Sequence, residues 1–234
     1  MDTKKPVKKE IQAIVSDIEG TTTASTFVTD VLIPYAKKHL NDFFQANKDK
    51  PVIEQLCEDV KIDAKLPHIN PELALSILKI WMDQNQNFNS LKKIQGLIFE
   101  QGFKSGDFKG HVFEDACEGF KKWKTLGIPL YLFAYDSMHS QKLLFQHSMH
   151  GNLTPLVKGY FDTNIGCKKL ALSYRKISNE LGCDPSKVLF LSDCLEELDA
   201  AKLAGMQTTL VRRSALHPPI CPHPVVKNFD EIKC

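Results

Sequence analysis

The chain has 234 residues, of which 43% are hydrophobic and 25% are charged, and its formal net charge at pH 7 is +2. These values are typical of a globular protein and exclude an intrinsically disordered chain. The net charge is too small to indicate binding to nucleic acid, and no apolar run approaches the length that crosses a membrane.

The amino-terminal stretch MDTKKPVKKE carries four lysines, and no apolar core of a signal peptide follows it. We interpret it as a solvated tail, with a nuclear localisation signal as the weaker alternative. The seven cysteines are odd in number and scattered, which indicates reduced thiols. We therefore predict a cytoplasmic protein, with the nucleus as an additional location to be considered.

The first predicted strand ends in an unusual way. In IVSDIEGTTT, residues 14–23, apolar residues run into Asp17-Ile18-Glu19, and Gly20 and three threonines follow. Acids and glycine commonly terminate strands, so the simplest interpretation is a strand end that meets solvent. The alternative is that both carboxylates stand at the carboxyl end of the strand to perform chemistry.

Residues 29–105 contain almost no strand pattern and predict a helical insert. Apolar residues at roughly helical spacing mark one segment around Tyr35 and Leu40 and another between Leu91 and Phe103. Between them, Asn70-Pro71-Glu72 predicts a helix start, with asparagine as the cap and proline at the first helical position.

From about residue 113 the pattern alternates between helix and strand, which predicts a parallel sheet covered by helices. The apolar runs YLF and VLFL are typical of strands buried on both faces. The predicted helices are 113–124, 139–145, 169–181 and 196–203, and the predicted strands are 128–133, 159–162, 188–191 and 207–211.

The predicted fold class is therefore α/β, with a Rossmann-like parallel sheet, helices on both faces and a helical cap inserted after the first strand. Residues 1–28 and 108–234 are assigned to the core and residues 29–107 to the cap. Because open α/β sheets bind ligands at the carboxyl ends of their strands, a cap inserted there is placed to cover a ligand.

A second acidic strand end supports the chemical interpretation of Asp17 and Glu19. The strand 188–191 is followed by Ser192-Asp193, so three carboxylates can meet at one edge of the sheet. Clustered like charges are unfavourable unless a cation lies among them, and oxygen ligands suit Mg²⁺. Lys168, which precedes the helix that carries Tyr174, would offset the negative charge and hold an anionic substrate.

A second candidate metal site lies near the carboxyl terminus, in His217-Pro-Pro-Ile-Cys221-Pro-His223. Three soft ligands lie close together there, but four prolines stiffen the stretch, and a closed zinc site needs a fourth ligand. We therefore do not predict a metal site in this stretch.

The pattern of motifs resembles the haloacid dehalogenase-like phosphohydrolases and, more narrowly, the enolase-phosphatases of methionine salvage. The resemblance spans roughly residues 10–212. Its motifs are DIEGTTT (17–23), SQKLLFQHS (140–148), GYFDTNIG (159–166), SYRKI (173–177) and LFLSD (189–193).

The resemblance implies a phosphoric monoester hydrolase of the acireductone synthase type, which uses Mg²⁺ to enolise and dephosphorylate 2,3-diketo-5-methylthiopentyl 1-phosphate. By position, Asp17 would be the attacking carboxylate and a metal ligand, and Glu19 would join the metal site and act as acid or base. Asp193 would be the third metal ligand, Lys168 would contact the substrate phosphate, and Glu197 would orient the site. The implied partner is a small phosphorylated substrate, without nucleic acid or membrane, and the protein is expected to be a monomer.

One departure from the family lies at the substrate-binding positions of the second motif. That family ends the strand in Ser-Ser-Gly-Ser, where this chain has Ala134, Tyr135, Asp136 and Ser137. Ala134 and Tyr135 therefore occupy the positions that would bind the substrate phosphate, and Ser137 could replace part of the lost hydroxyl function. Two alternatives follow: a phosphatase for a different phosphoester, or a catalytically weakened homologue that binds a ligand.

Overall fold

The computed structural model describes residues 10–86, 88–213 and 221–233. The lysine-rich tail and its interpretation as a nuclear signal lie outside these ranges, and so does His217. The chain divides into two compact units. The first combines the ranges Met1–Ser25 and Gly110–Cys234, and the second is Thr26–Lys109. The sequence placed these boundaries three residues later at the first crossing (28/29) and two residues earlier at the second (107/108).

The first unit contains a sheet of six parallel strands in the order β3-β2-β1-β4-β5-β6. Its central strands are wholly buried or nearly so, as the apolar runs predict. The strands are β1 (Ala13–Ser16), β2 (Leu130–Phe133), β3 (Gly159–Phe161), β4 (Val188–Ser192), β5 (Gln207–Val211) and β6 (Val225–Val226).

Along the chain, the sheet grows from β1 through β2 to β3 on one side and from β4 to β5 on the other. Right-handed connections that run in opposite directions place their helices on opposite faces. The α/β fold class with a parallel sheet is thereby confirmed, and the reversal of strand order beside β1 marks a ligand-binding crevice.

The helices of the core lie within one or two residues of their predicted ends. On one face, buried Tyr174 and Leu198 pack with Phe133 and Phe190 of the sheet. On the other face, the Phe120 ring lies 5.9 Å from that of Phe145. The core helices are α6 (Glu114–Thr125), α7 (Met138–Gln146), α8 (Ala171–Leu181) and α9 (Leu195–Leu203).

The inserted unit is helical, as predicted, and its helices share a buried apolar cluster. Asn70 caps its helix as expected, since its side-chain oxygen accepts a hydrogen bond from the Leu73 N–H at 2.8 Å. The prediction missed the helix that follows Lys50. The helices are α1 (Ser25–Phe27), which continues through a π-helical turn (Val28–Leu32), and α2 (Ile33–Ala46), α3 (Pro51–Asp63), α4 (Pro71–Asp83) and α5 (Asn89–Ser105).

Among the described helices, none combines the length and the apolar character needed to span a bilayer.

Candidate active site

The two predicted acidic strand ends lie side by side. Strands β1 and β4 are hydrogen-bonded neighbours with Ser16 opposite Leu191, and the Asp17 N–H donates to the Leu191 carbonyl at 2.8 Å. Asp17 therefore continues the ladder for one more residue beyond β1, and Asp193 follows β4 at the same edge. Both carboxylates thus occupy the carboxyl edge of the sheet, beside the reversal of strand order.

The turn after Asp17 is held by Thr21, whose side chain is fully buried. The Thr21 hydroxyl donates to Asp17 Oδ2 at 3.1 Å and accepts from the Asp193 N–H at 3.0 Å. A single hydroxyl therefore couples the two strand ends, so that a shift of either carboxylate disturbs the other.

Glycine is required at position 20 by both conformation and space. Gly20 has φ of +77°, and a Cβ placed there would lie 2.0 Å from Asp193 Oδ2. The left-handed conformation disfavours other residues, and the close approach leaves no room for a side chain beside Asp193. The glycine after the two acids of the first strand is thus part of the packing of Asp193.

Replacement of Gly20 by alanine is expected to damage the site beyond its effect on folding. Gly127→Ala is a matched control, because Gly127 has φ of +71° but no atom within 4 Å of an added Cβ. Both variants should lose about 1–2 kcal/mol of unfolding free energy through the left-handed conformation. Only Gly20→Ala should also lose activity, by about 10²-fold, through displacement of Asp193. Urea unfolding and steady-state kinetics on both variants measure this, and equal activity in the two would contradict it.

Lys168 is buried between two acids and has 1% of its surface exposed. Its Nζ donates to Asp17 Oδ1 and lies 3.0 Å from Glu197 Oε2. The loop before α8 presents the lysine because the buried Tyr174 hydroxyl donates to the Lys168 carbonyl at 2.6 Å. Residues 17, 168 and 197, far apart in the chain, thus meet in one network of charges.

The clustered charges displace several pKa values. Burial, with the nearby Asp136 and Asp17 carboxylates, raises the pKa of Glu19 to about 7. Burial, with Asp17 and Glu197, raises the pKa of Asp193 to about 6. Burial alone would lower the pKa of Lys168, but the two carboxylates it contacts outweigh burial and raise it. The lysine therefore stays charged, whereas excess negative charge remains around Glu19 and Asp193.

The predicted metal ligands Asp17, Glu19 and Asp193 do not form a closed cage of three carboxylates. Within residues 10–86, 88–213 and 221–233, no three side chains of Asp, Glu, His or Cys converge closely enough to enclose an ion by themselves. The residues still fit Mg²⁺, which typically takes one or two carboxylates and keeps several waters. The Asp17 charge that raises the pKa of Asp193 is a repulsion that such a cation would relieve.

At the second motif, the side chain of Ala134 is buried, and its N–H donates to the Phe161 carbonyl at 3.2 Å. Ala134 was predicted to bind substrate, but in this arrangement neither its methyl group nor its N–H is available. The Ser137 hydroxyl accepts from the Ser140 N–H at 3.2 Å as the cap of α7, so it is not a simple replacement for the missing hydroxyls. Of the motif's side chains, Tyr135 contacts Lys168, and Asp136 adds negative charge near Glu19.

The ring of Tyr135 lies over Lys168, with 4.9 Å between Nζ and the ring centroid. Burial and the nearby Glu197 carboxylate raise the pKa of Tyr135 to about 12. The hydroxyl is therefore a proton donor at neutral pH. The direction of Tyr135, which the sequence left open, is toward the site.

Arg213 is a supporting residue that the sequence analysis missed. Its Nε donates to the Thr21 carbonyl at 2.7 Å, and its two terminal nitrogens bind Asp115 at 2.9 Å each. The guanidinium also lies 3.7 Å from the centre of the Phe113 ring. Arg213 thus ties the turn of Thr21 to the start of α6. The sequence feature that could have identified Arg213 is its position two residues after β5, at the same edge of the sheet as the acids.

His111 also supports the turn that follows Asp17, residues 18–24, which we call the catalytic turn. Its Nδ1 accepts from the Ala24 N–H at 3.1 Å and lies 3.1 Å from the Thr23 hydroxyl. An N–H can donate only to an unprotonated Nδ1, so the bond requires a neutral ring. Burial, with the positive charge of Arg213 and the nearby His150, lowers the pKa of His111.

This geometry predicts a pH-dependent loss of stability. The folded pKa of His111 is below the unfolded value, so its contribution is fully present above the unfolded pKa and is lost as pH falls through the folded pKa. His111→Asn keeps an acceptor near the Nδ1 position and does not titrate. Urea unfolding at pH 7.5 and 5.5 should show a larger fall in the wild type than in His111→Asn. Equal falls in the two proteins would show that the His111 ring contributes nothing to the pH dependence.

The histidine of the carboxyl-terminal cluster is occupied by protein groups. His223 is buried, with Nδ1 2.8 Å from the Thr208 hydroxyl and Nε2 3.1 Å from Asp199 Oδ1. Neither ring nitrogen is therefore available to a metal in this arrangement. His223 instead connects α9 and β5 to the segment before β6.

A cavity of about 920 Å³ lies away from the charged network. Its walls include Ile11 and Gln12 before β1, Ile128 before β2 and Gln207 at the start of β5. These residues mark the amino ends of the strands, whereas Asp17, Lys168 and Asp193 lie at the carboxyl ends. The size of a cavity therefore does not identify the reactive site here.

Comparison with known proteins agrees with the geometry of this edge. The family profile described as haloacid dehalogenase-like hydrolase matches residues 11–205. The structure of the UTR4 protein from Saccharomyces cerevisiae superposes with a TM-score of 0.81 at 29% identity, covering 95% of this chain and 100% of that one. These matches include both strand ends, the lysine loop and the inserted helices.

Proteins named enolase-phosphatase E1 are similar over almost the whole chain. The protein from Thioalkalivibrio sulfidiphilus is 44% identical over 92% of this chain and 96% of its own length. The protein from Methylococcus capsulatus is 41% identical over 95% of this chain and 98% of its own length. The chain therefore belongs to the haloacid dehalogenase-like hydrolases and, among them, to the enolase-phosphatases, which confirms the resemblance seen in its motifs.

Proposed function

We propose that this protein is a Mg²⁺-dependent enolase-phosphatase of methionine salvage. It would convert 2,3-diketo-5-methylthiopentyl 1-phosphate and water into phosphate and the acireductone 1,2-dihydroxy-3-keto-5-methylthiopentene. The observation that carries the proposal is the buried contact of Lys168 with Asp17 and Glu197 beside Asp193. The substrate is the one that the resemblance to the enolase-phosphatases implies, and the similar proteins carry that name.

In the phosphatase half-reaction, an Asp17 carboxylate oxygen attacks phosphorus, and the bond from phosphorus to the substrate oxygen breaks. The released oxygen takes a proton, and water then hydrolyses the acyl phosphate, which returns phosphate and the free carboxylate. Lys168, held charged by its two carboxylates, stabilises negative charge on the phosphoryl oxygens.

In the enolisation, a proton leaves C1 of the diketone and a proton is added to the oxygen at C2. Glu19 is proposed as the acid or base for this exchange, because it lies two residues from Asp17 at the same strand end. Glu197 forms an ion pair with Lys168 and accepts a hydrogen bond from the Ser192 hydroxyl at 3.1 Å. Its proposed role is to orient the lysine rather than to react.

Asp17, Asp193 and Glu19 are the residues proposed to hold Mg²⁺, through at most two carboxylates together with water or backbone oxygen. When bound, the ion would neutralise charge on the phosphoryl group during its transfer. The remaining elements of the proposal are a small phosphorylated substrate, a monomer, a cytoplasmic location and no nucleic-acid or membrane partner. The curated relatives named above are bacterial and give no support to the nuclear location considered from the amino terminus.

The direct test is phosphate release with Mg²⁺ from the diketo phosphate and from p-nitrophenyl phosphate. Turnover of the diketo phosphate together with formation of the enediol absorbance supports the proposal. Turnover of the aryl phosphate alone would replace it with a phosphatase of different specificity.

A catalytically weakened homologue is the second candidate, because the ring of Tyr135 lies over Lys168. It predicts no turnover of either compound. Mg²⁺ distinguishes a retained site from a lost one, because an ion that binds only the folded state raises the thermal midpoint. If neither compound is turned over and Mg²⁺ does not raise the thermal midpoint, both the Mg²⁺ site and the proposed reaction are wrong.

A further inference from the structure

The aromatic side chain of Tyr135 occupies the approach to the buried lysine. Lys168 has 1% of its surface exposed, whereas Tyr135, whose ring lies over its ammonium group, is 42% exposed. The ring is therefore on the solvent side of the charge. A second ring, that of Phe133, lies 5.5 Å from the same nitrogen.

The ammonium of Lys168 donates to Asp17 and forms an ion pair with Glu197, with 3.0 Å between Nζ and Oε2. The rings of Phe133 and Tyr135 lie against the rest of the group. A phosphoryl oxygen could contact Nζ only if one of these neighbours moved. Asp17 and Glu197 are buried ionic partners, and Phe133 has no exposed surface, so Tyr135 is the neighbour with room to move.

Tyr135 interacts with the charged network through its side chain. Its ring makes a cation–π contact with Lys168, and the Glu197 carboxylate is close enough to raise the pKa of its hydroxyl. The backbone on both sides is pinned, because the Ala134 N–H donates to Phe161 and Gln141 Nε2 donates to the Asp136 carbonyl at 2.9 Å. Rotation of one side chain would expose Lys168 without moving the loop.

We propose that Tyr135 is a gate at the phosphoryl-binding position, where its ring and a phosphoryl group compete for Lys168. The residue is therefore a determinant of specificity, since only a substrate that supplies enough binding energy elsewhere can displace the ring. This inference rests on the proposed function for the identity of the occupant, a phosphoryl group.

Binding of inorganic phosphate tests the gate without any turnover. Calorimetric titration in the presence of Mg²⁺ compares the wild type with Tyr135→Ser, which removes the ring, and with Tyr135→Phe, which keeps the ring but loses the hydroxyl near Glu197. The matched control is Tyr131→Phe, which changes a tyrosine of β2, the strand that precedes Tyr135, and whose ring packs against that of Phe161.

Tyr135→Ser is expected to bind phosphate at least about tenfold more tightly than the wild type, because the ring and its cation–π contact no longer compete for Lys168. Tyr135→Phe should fall between the two, and Tyr131→Phe should match the wild type. Unchanged, weaker or undetectable binding in Tyr135→Ser would overturn the gate. Circular dichroism on each variant verifies that the fold is retained, and the exposed position of Tyr135 leaves the core intact.

The phosphate titration and the turnover assay test the gate and the proposed function separately. Tighter phosphate binding in Tyr135→Ser, with no turnover of the diketo phosphate by either protein, supports the gate and removes the enolase-phosphatase reaction. Turnover of the diketo phosphate by the wild type, with phosphate affinity equal in all variants, supports the reaction and overturns the gate.

Discussion

Asp17→Asn is expected to abolish phosphate release, with a fall in kcat on the order of 10⁴–10⁶-fold, as for removal of an attacking nucleophile in other hydrolases. The amide keeps the shape of the side chain but cannot attack phosphorus or carry the negative charge that faces Lys168. Steady-state phosphate release with Mg²⁺ and the diketo phosphate measures the effect.

Asp230→Asn is the control for this experiment, because Asp230 is exposed and lies in the short helical turn Phe229–Glu231. It should leave kcat and the thermal midpoint unchanged. A kcat for Asp17→Asn within tenfold of the wild type would exclude Asp17 as the nucleophile. The fold of Asp17→Asn should survive, because Lys168 keeps Glu197 as an ionic partner.

Lys168→Met is expected to be the most destabilising substitution at the site. Methionine fills a similar volume but leaves Asp17 and Glu197 as buried carboxylates without their cation. Removal of one partner of a buried ion pair typically costs about 3–5 kcal/mol of unfolding free energy. Urea unfolding in the absence of divalent cations measures the loss, and kcat should fall by about 10²–10³-fold as well.

Two further variants identify the cause of that loss. Lys169→Met removes an exposed lysine whose Nζ lies 3.7 Å from Glu196, and surface pairs of this kind contribute only about 0–1 kcal/mol. Adding Glu197→Gln to Lys168→Met removes one uncompensated charge and should restore part of the stability. If Lys168→Met and Lys169→Met were equally stable, the buried network would not contribute to folding.

The alternation of helix and strand after residue 113 was readable because each element buries a regular apolar pattern. The strands YLF and VLFL and the helices between them appear close to their predicted positions. Helix α3 was overlooked although its sequence carries the signal, since Ile53, Leu56, Cys57 and Val60 stand at the spacing of one helical face. Strand β6 is two residues long, too short for a pattern, and depends on hydrogen bonds to β5.

The sequence predicted those residues of the candidate site that directly follow a strand. Asp17 and Asp193 each follow a buried strand, so the parallel sheet predicts that they share one edge, and the pairing of β1 with β4 makes them neighbours. Arg213 and His111 support the catalytic turn through contacts that join residues about 90 or more positions apart. No local pattern reports such contacts, because they depend on how loops pack after the sheet has formed.

The sequence by itself determined the α/β class, the helical insert and the acids and lysine at the carboxyl edge, because local periodicity and strand ends encode them. Only the tertiary structure decided how these groups are used. It directed Tyr135 over Lys168, buried the Ala134 methyl and engaged its N–H with Phe161, and placed Asp193 against Gly20. Each of these depends on which side chains share a small volume, and that is settled when distant segments pack together.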